Sequence, residues 1–422
     1  MTDMDPQAFG GQFQLFLGFD WAKEDHDVVG LDAAGRIVLD LAFEDSAEGW
    51  ALLRQTLMDR VGADLAQVAV AIETCSGPAV ERLLEMGCRV YPLNPKAAKR
   101  YRDRKSVAGN KTDHLDAWSF GDALRTDGHG WKALSPEDPL TQELRMLCRD
   151  EVSLIGQRTS LVQQLQAALH EYYPAALEAF DTWTAPSAWA FIERFPTSER
   201  LLAAGRRAWE KFLHSRRLAH PDFYQSRLEQ FARAKDFHGA PAVTSVKSRL
   251  ALAIVAQLNA LEKHLAQYRK EIHALFARHP DNDIFGSLPG AGSKVAPRLA
   301  SEIGTNRERF EDAQSLQTYG GTAPVTRQSG KGIYVHFRRS CNKNLRAAVN
   351  FLADHSRKTC VWASVYYQRK RDEGASHASA LRCLGQRWLK IIWKMWQTHT
   401  VYNEALHTQN QTRHGSWVVS MT

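Results

Sequence analysis

No C-x-x-C pair occurs anywhere in this chain, and its six cysteines, Cys75, Cys88, Cys148, Cys341, Cys360 and Cys383, are scattered along it. That spacing argues against a zinc ribbon or a dithiol redox centre and favours a reduced, cytoplasmic protein. No apolar run approaches the roughly 18 residues of a membrane span. The N-terminus has no basic segment leading into an apolar core, so no export signal and no membrane partner is expected. A serine-hydrolase reading also lacks its G-x-S-x-G elbow. Disorder and fibrous architectures are unsupported, because 44% of the residues are hydrophobic and 24% charged, as in ordinary globular proteins.

What is present is length and positive charge. The 422 residues suggest two or three domains, and three are expected. A formal charge of +7 permits a nucleic-acid partner without requiring one, so the distribution of charge must decide.

The first 125 or so residues alternate strand and helix signals. Leu15–Phe19 is an apolar run ending at Asp20; Val28–Leu31 and Arg36–Leu39 follow, separated by the turn residues Asp32–Gly35. Three antiparallel strands fit this pattern. After an amphipathic stretch from Ala47 to Val61 comes Val68–Ile72, unbroken and apolar like a buried central strand, ending at Glu73. Gly77-Pro78 opens a helix that Gly87 closes, and Arg89–Leu93 returns as a short strand. The expected class is α/β. Long helices are expected from about Pro139 to Tyr173 and from about Val246 to His279, able to pair as an antiparallel coiled coil. Between them, Thr182–His238 reads as short helices without identifiable chemistry. Ile284–Gly292 is a glycine-punctuated turn leading into a helix; it reads equally as a phosphate-facing helix-hairpin-helix or as a packing corner.

Four carboxylates carry the chemistry of the first region. Asp20 and Glu73 end strands, and Asp113 and Asp116 are three residues apart, on one face of a helix. Any one of them alone reads more readily as a turn former, a cap or a solvated charge. Together, at one sheet edge, they would form an acidic pocket whose repulsion hard divalent cations such as Mg²⁺ relieve. Such ions activate an attacking oxygen and stabilise a leaving one in phosphodiester chemistry.

The second constellation lies in Tyr319–Gly332, where glycines and a proline suggest an irregular loop holding Ser329 between Gln328 and Gly330. No acidic residue falls between Asp312 and Asp354, while Arg327, Lys331, Arg338, Arg339, Lys343 and Arg346 do. A patch of that kind attracts a phosphate backbone, and cations beside a serine stabilise its alkoxide; a plain solvated basic face remains the other reading.

Phe19–Lys23, Ile72–Gly77, Val90–Pro95 and Lys111–Ala117 resemble the successive motifs of the DEDD transposases of the IS110 group of bacterial insertion sequences. The segment around Ser329, with Asn342–Arg346 and the apolar helix after it, resembles the C-terminal transposase domain of the same family. The resemblance implies a RuvC-like ribonuclease H fold, Mg²⁺ bound by Asp20, Glu73, Asp113 and Asp116, and Ser329 as a nucleophile that links covalently to DNA. It also implies a structured bridge RNA as guide, and homo-oligomers whose active sites combine the two domains. DNA contacts are expected from Lys111, Arg327, Lys331, Arg338, Arg339, Lys343 and Arg346.

The expected division is a RuvC-like metal-binding domain over 1–135, a helical coiled-coil domain over 136–283 and a mainly α-helical transposase domain over 284–422. Two other readings stay open. One is a Holliday-junction-type endonuclease, which needs the carboxylates but no serine; the other is a nucleic-acid-binding scaffold without catalysis.

Overall fold

The computed structural model describes residues 6–75, 77–105, 112–220, 224–226, 229, 239–330 and 332–415. The chain forms two compact units, residues 1–136 and 137–422.

The first unit begins with a short helix α1 (Pro6–Gln12) and continues through β1 (Leu15–Trp21), β2 (Asp25–Leu31), β3 (Ile37–Glu44), α2 (Ala47–Val61), β4 (Val68–Ile72), α3 (Pro78–Glu85), β5 (Arg89–Pro92), α4 (Pro95–Lys105) and α5 (Asp113–Asp127). The five strands form one sheet in the order β3-β2-β1-β4-β5. The first three are antiparallel, while β4 runs parallel to β1 and β5 parallel to β4. This is the mixed sheet of a RuvC-like fold.

Both faces of the sheet are covered, which is why β4 is apolar without interruption and wholly buried. Leu15, Leu17, Phe19, Val68, Val70 and Ile72 pack with Trp50, Leu53 and Leu57 of α2 and Leu83 of α3. Phe16, Ala69 and Ala71 face the other way, toward Ala117, Phe120 and Leu124 of α5. The crossing of α5 over β1 is close. A Cβ on Gly18 would lie 1.7 Å from the Ala117 carbonyl oxygen, so only glycine lets the helix backbone rest on the strand.

Among its described residues, the regular structure of the second unit is helical apart from one hairpin. Its two long helices, α6 (Pro139–Tyr172) and a second spanning Pro241–Arg278, pack side by side. Their ion pairs, Glu151 with Arg269, Arg158 with Glu262 and Glu171 with Lys247, run in opposite sequence directions, so the helices are antiparallel. Among the residues between them, four helices are described: α7 (Pro174–Glu178), α8 (Pro186–Arg194), α9 (Ser198–Ala204) and α10 (Arg206–Ser215). They enclose an aromatic cluster of Trp183, Trp189, Phe191, Phe195, Trp209 and Phe212.

With Pro241–Arg278 as α11, the chain continues through α12 (Asn282–Gly286), α13 (Gly292–Ile303), α14 (Ala313–Tyr319), β6 (Val325–Ser329), β7 (Gly332–His336), α15 (Lys343–Thr359), α16 (Val361–Asp372), α17 (His377–Thr398) and α18 (Glu404–Arg413). Trp388 and Trp396 of α17, Leu352 of α15 and Leu299 of α13 are buried in its core. The glycine-punctuated turn between α12 and α13 packs back on α15: Gly290 has φ +80°, and its carbonyl is 3.1 Å from His355 Nδ1. No described helix is long and apolar enough to cross a membrane.

Candidate active site

Alternation along the strands decides which side chains face α5. In β1 the even-numbered Phe16 and Gly18 lie under that helix, so Asp20, two residues on, projects to the same face. In β4 the odd-numbered Ala69 and Ala71 do so, and Glu73 continues their side just past the strand end. Phe19 pairs with Ile72, so Asp20 and Glu73 follow one another at neighbouring ends of adjacent parallel strands. Both are half-buried.

The N-terminus of α5 meets this edge. Thr112 caps the helix, its hydroxyl accepting a hydrogen bond from Leu115 N at 3.1 Å. Asp113 is the first helical residue and is exposed; Asp116, one turn on, is only 3% exposed. Carboxylates in a first turn are favoured by the unpaired N–H groups there. Lys111, which precedes the cap, lies outside the described residues.

Two residues join this constellation that the strand and motif pattern did not single out. Asp27 of β2 is the cross-strand partner of Asp20 and shares the α5 face with Val29 and Leu31. Burial and then the neighbouring Asp113 charge push its pKa above the usual carboxylate range. Arg102 of α4 places Nη1 2.5 Å and 2.6 Å from the two oxygens of Asp116. Its pKa is raised, chiefly by that hydrogen bond, with Glu73 among the charges it feels. Register identifies Asp27 once strands are paired; for Arg102, one of many basic residues in Pro95–Lys105, the sequence carries no separate signal.

The donors at this edge are all oxygen, the type a hard divalent cation takes. The Arg102 guanidinium bridges both oxygens of Asp116, the most buried of the four carboxylates. With the side chains so disposed, no group of three His, Cys, Asp or Glu residues among those described closes on a common point.

In the second unit, Ser329 is not in an irregular loop. It ends β6 and pairs with Gly332 across a tight turn in which Gly330 has φ +57°. The sequence signal misleads because glycines at a strand end serve a two-residue hairpin turn as well as a loop. Lys331 lies outside the described residues. The hairpin stands clear of the core of its unit: Ser329 and Arg327 are exposed, and Ile333, Tyr334 and Val335 are 64%, 59% and 65% exposed.

The other basic residues divide into two kinds. Arg338 donates to the carbonyls of Ala323 (3.1 Å) and Pro324 (3.3 Å), and Arg346 donates to the Arg338 carbonyl (3.2 Å), so both fasten the foot of the hairpin. Arg339 and Lys343 are exposed.

Residues 17–174 match the model of a transposase family designated DEDD and IS110, and residues 282–368 match that of the transposase IS116/IS110/IS902 family. A mini-circle putative transposase for IS117 from Streptomyces coelicolor is 32% identical over 397 residues, covering 92% of this chain and 95% of the relative. The chain belongs to the IS110 family of transposases. An uncharacterized 43.6 kDa protein of insertion element IS110, also from Streptomyces coelicolor, is 26% identical over 93% of the chain and 96% of its own length. An uncharacterized 42 kDa protein of insertion element IS900 from Mycobacterium paratuberculosis is 28% identical over 93% and 98%. In this transposase the first match spans Asp20, Glu73, Asp113 and Asp116, and the second spans Ser329.

Proposed function

We propose that this transposase cleaves and rejoins DNA with a divalent ion, Mg²⁺, held by Asp20, Glu73, Asp113 and Asp116, and with Ser329 as the nucleophile. The observation that supports the proposal is the placement of the four carboxylates at one edge of the sheet: Asp20 and Glu73 lie on the sheet face that α5 crosses, and Asp113 and Asp116 occupy its first turn. When bound, the metal would polarise the phosphate and offset its gathering charge.

The rest is the work of the chain itself. Ser329 Oγ attacks phosphorus and gives up its proton; the P–O bond to the departing DNA oxygen breaks, and that oxygen takes up a proton as a hydroxyl. The phosphoserine ester keeps the energy of the broken bond, so a second DNA hydroxyl can reverse the step and restore Ser329 without ATP. Exposure at a hairpin tip suits an attack on a large substrate. Arg327, Arg339 and Lys343, with Lys111 and Lys331, would contact backbone phosphates, while Arg338 and Arg346 would do so as well as bracing the hairpin. A structured guide RNA and a homo-oligomer belong to the proposal on the family resemblance.

Incubation with a DNA substrate nicked near its cleavage site, followed by denaturation, should leave DNA bound to the peptide containing Ser329. Asp113→Asn should abolish cleavage with the fold intact. Cleavage at the wild-type rate by Ser329→Ala would replace the proposal with a hydrolytic nuclease. Full metal-dependent activity in Asp113→Asn would remove that carboxylate from the site.

A further inference from the structure

At the foot of the hairpin a pocket of about 100 Å³ opens between the Gly321–Pro324 turn, the end of β7 at His336 and Phe337, and Arg382 of α17. Two guanidiniums lie over the Phe337 ring: that of Arg346 is 5.0 Å from its centroid and that of Arg382 is 4.9 Å. Arg382 is steadied from its own helix by Ser379 Oγ at 3.1 Å. Neither guanidinium forms an ion pair among the described residues. Elsewhere in the same unit arginines sit against carboxylates: Arg149 on Glu302, Arg298 on Glu151, Arg307 on Asp281 and Arg357 on Asp354. Over Phe337 two cations share one ring, beside Arg338, and neither is paired with a carboxylate among the described residues. A cation left without a carboxylate beside a small pocket attracts an anion.

We infer that this pocket seats a backbone phosphate of the DNA strand that Ser329 attacks, with Arg382, which lines it, as the donor; the inference rests on the function proposed above. A guanidinium offers paired N–H groups that match two phosphate oxygens. The Phe337 ring fixes both guanidiniums in advance, so little side-chain freedom is lost when the anion arrives. The hairpin supplies the spacing. From Val325 at its foot to Ser329 at its tip are four residue steps, roughly 13 Å at about 3.3 Å each. A DNA strand lying along the hairpin would therefore have its reacting phosphate at the serine and another, two to four nucleotides away, in the pocket. That gives Arg382, which is remote in sequence from the serine, a positioning role for the reacting strand.

The test is the salt dependence of binding to a mixed-sequence DNA duplex by the full-length protein, wild type against Arg382→Gln. Loss of one phosphate contact should lower the slope of log affinity on log salt by roughly 0.9. An unchanged slope in a folded variant, over a wild type that is itself salt-dependent, overturns the pocket and leaves the proposed function standing. Salt-independent binding by the wild type sinks both. A slope that falls only for structured RNA, and not for DNA, overturns the assignment to the DNA strand. Should Arg382→Gln fail to fold, the wild type serves: phenylglyoxal modification mapped by mass spectrometry should fall at Arg382 when duplex DNA is added, and equal modification with and without DNA overturns the inference.

Discussion

At residue 18 a single hydrogen in place of a methyl group decides whether the first unit can form its candidate site. The Ala117 carbonyl lies where a Cβ would stand, and Gly121 of the same helix brings its own N–H within 2.5 Å of that point. Neither atom is the end of a flexible side chain, so Gly18→Ala must lift α5 off β1 and carry Asp113 and Asp116 away from Asp20. A cost of about 3 kcal/mol or more is expected, beyond ordinary overpacking, and urea denaturation would measure it. Arg102 poses the opposite case, a contact that metal is expected to replace. Removing it leaves Asp116 buried without its partner. Arg102→Gln should therefore lose about 3 kcal/mol in EDTA and recover part of it when Mn²⁺ is added. Its Mn²⁺-induced rise in melting temperature should exceed that of the wild type; an equal or smaller rise would mean that arginine and metal do not compete for Asp116.

Among the elements, α15 shows how a cap can be shared between local and long-range tasks. Asn342 Oδ1 accepts from Leu345 N at 2.9 Å, and Asn342 Nδ2 donates to Glu302 of α13 at 2.7 Å. Burial alone would raise the pKa of Glu302, but the hydrogen bonds and charge of Arg149, with Asn342, hold it below the ordinary range. Asn342→Ala should cost about 1–2 kcal/mol through the cap and the neighbouring carboxylate, read as a lower denaturation midpoint. The end of α11 is sensitive to acid for a different reason. His279 is buried, accepts from Asp281 N at 3.1 Å and lies 3.0 Å from Thr141 Oγ1, and burial lowers its pKa. The unfolded chain then binds the proton more readily than the folded one. The contribution is complete above the unfolded value near 6.5 and is lost as pH falls below it toward the lower folded value. The wild type should lose more stability between pH 7.5 and pH 5.5 than His279→Gln; equal losses would show that another group governs acid sensitivity.

For the molecule as a whole, charge is not spread evenly. Arginines of the long helices and of α13 are matched with Glu151, Glu262 and Glu302, whereas those around the hairpin are not matched in this way. Nucleic-acid binding is therefore expected to be steeply salt-dependent, and the hairpin cations should differ in how they contribute. Arg339→Ala should flatten the salt slope by roughly 0.9 while leaving the melting temperature unchanged. Arg338→Ala should also lower the melting temperature, because its guanidinium fastens the Ala323 and Pro324 carbonyls. Identical effects of the two substitutions on stability would contradict that division.

Much of the first unit was legible in the sequence because period-two and period-three-to-four patterns are local. The apolar run Val68–Ile72 needs only its own side chains to announce a strand buried on both faces, and the long helices of the second unit announce themselves by their leucine spacing. Asp20, Glu73 and the Asp113/Asp116 pair stand out at the ends of such elements. What local pattern does not contain is register and turn geometry. Asp27 became a neighbour of Asp20 only when β1 paired with β2, and Arg102 reached Asp116 only when α4 packed beside α5. Ser329 moved from an expected loop to a hairpin tip because Gly330 takes a positive φ. Arg346 and Arg382 met over Phe337 only when α17 folded against the foot of the hairpin. The sequence determined which elements form and which charges they carry; the tertiary structure decided which charges meet, because strand pairing and helix packing join residues that no short-range periodicity relates.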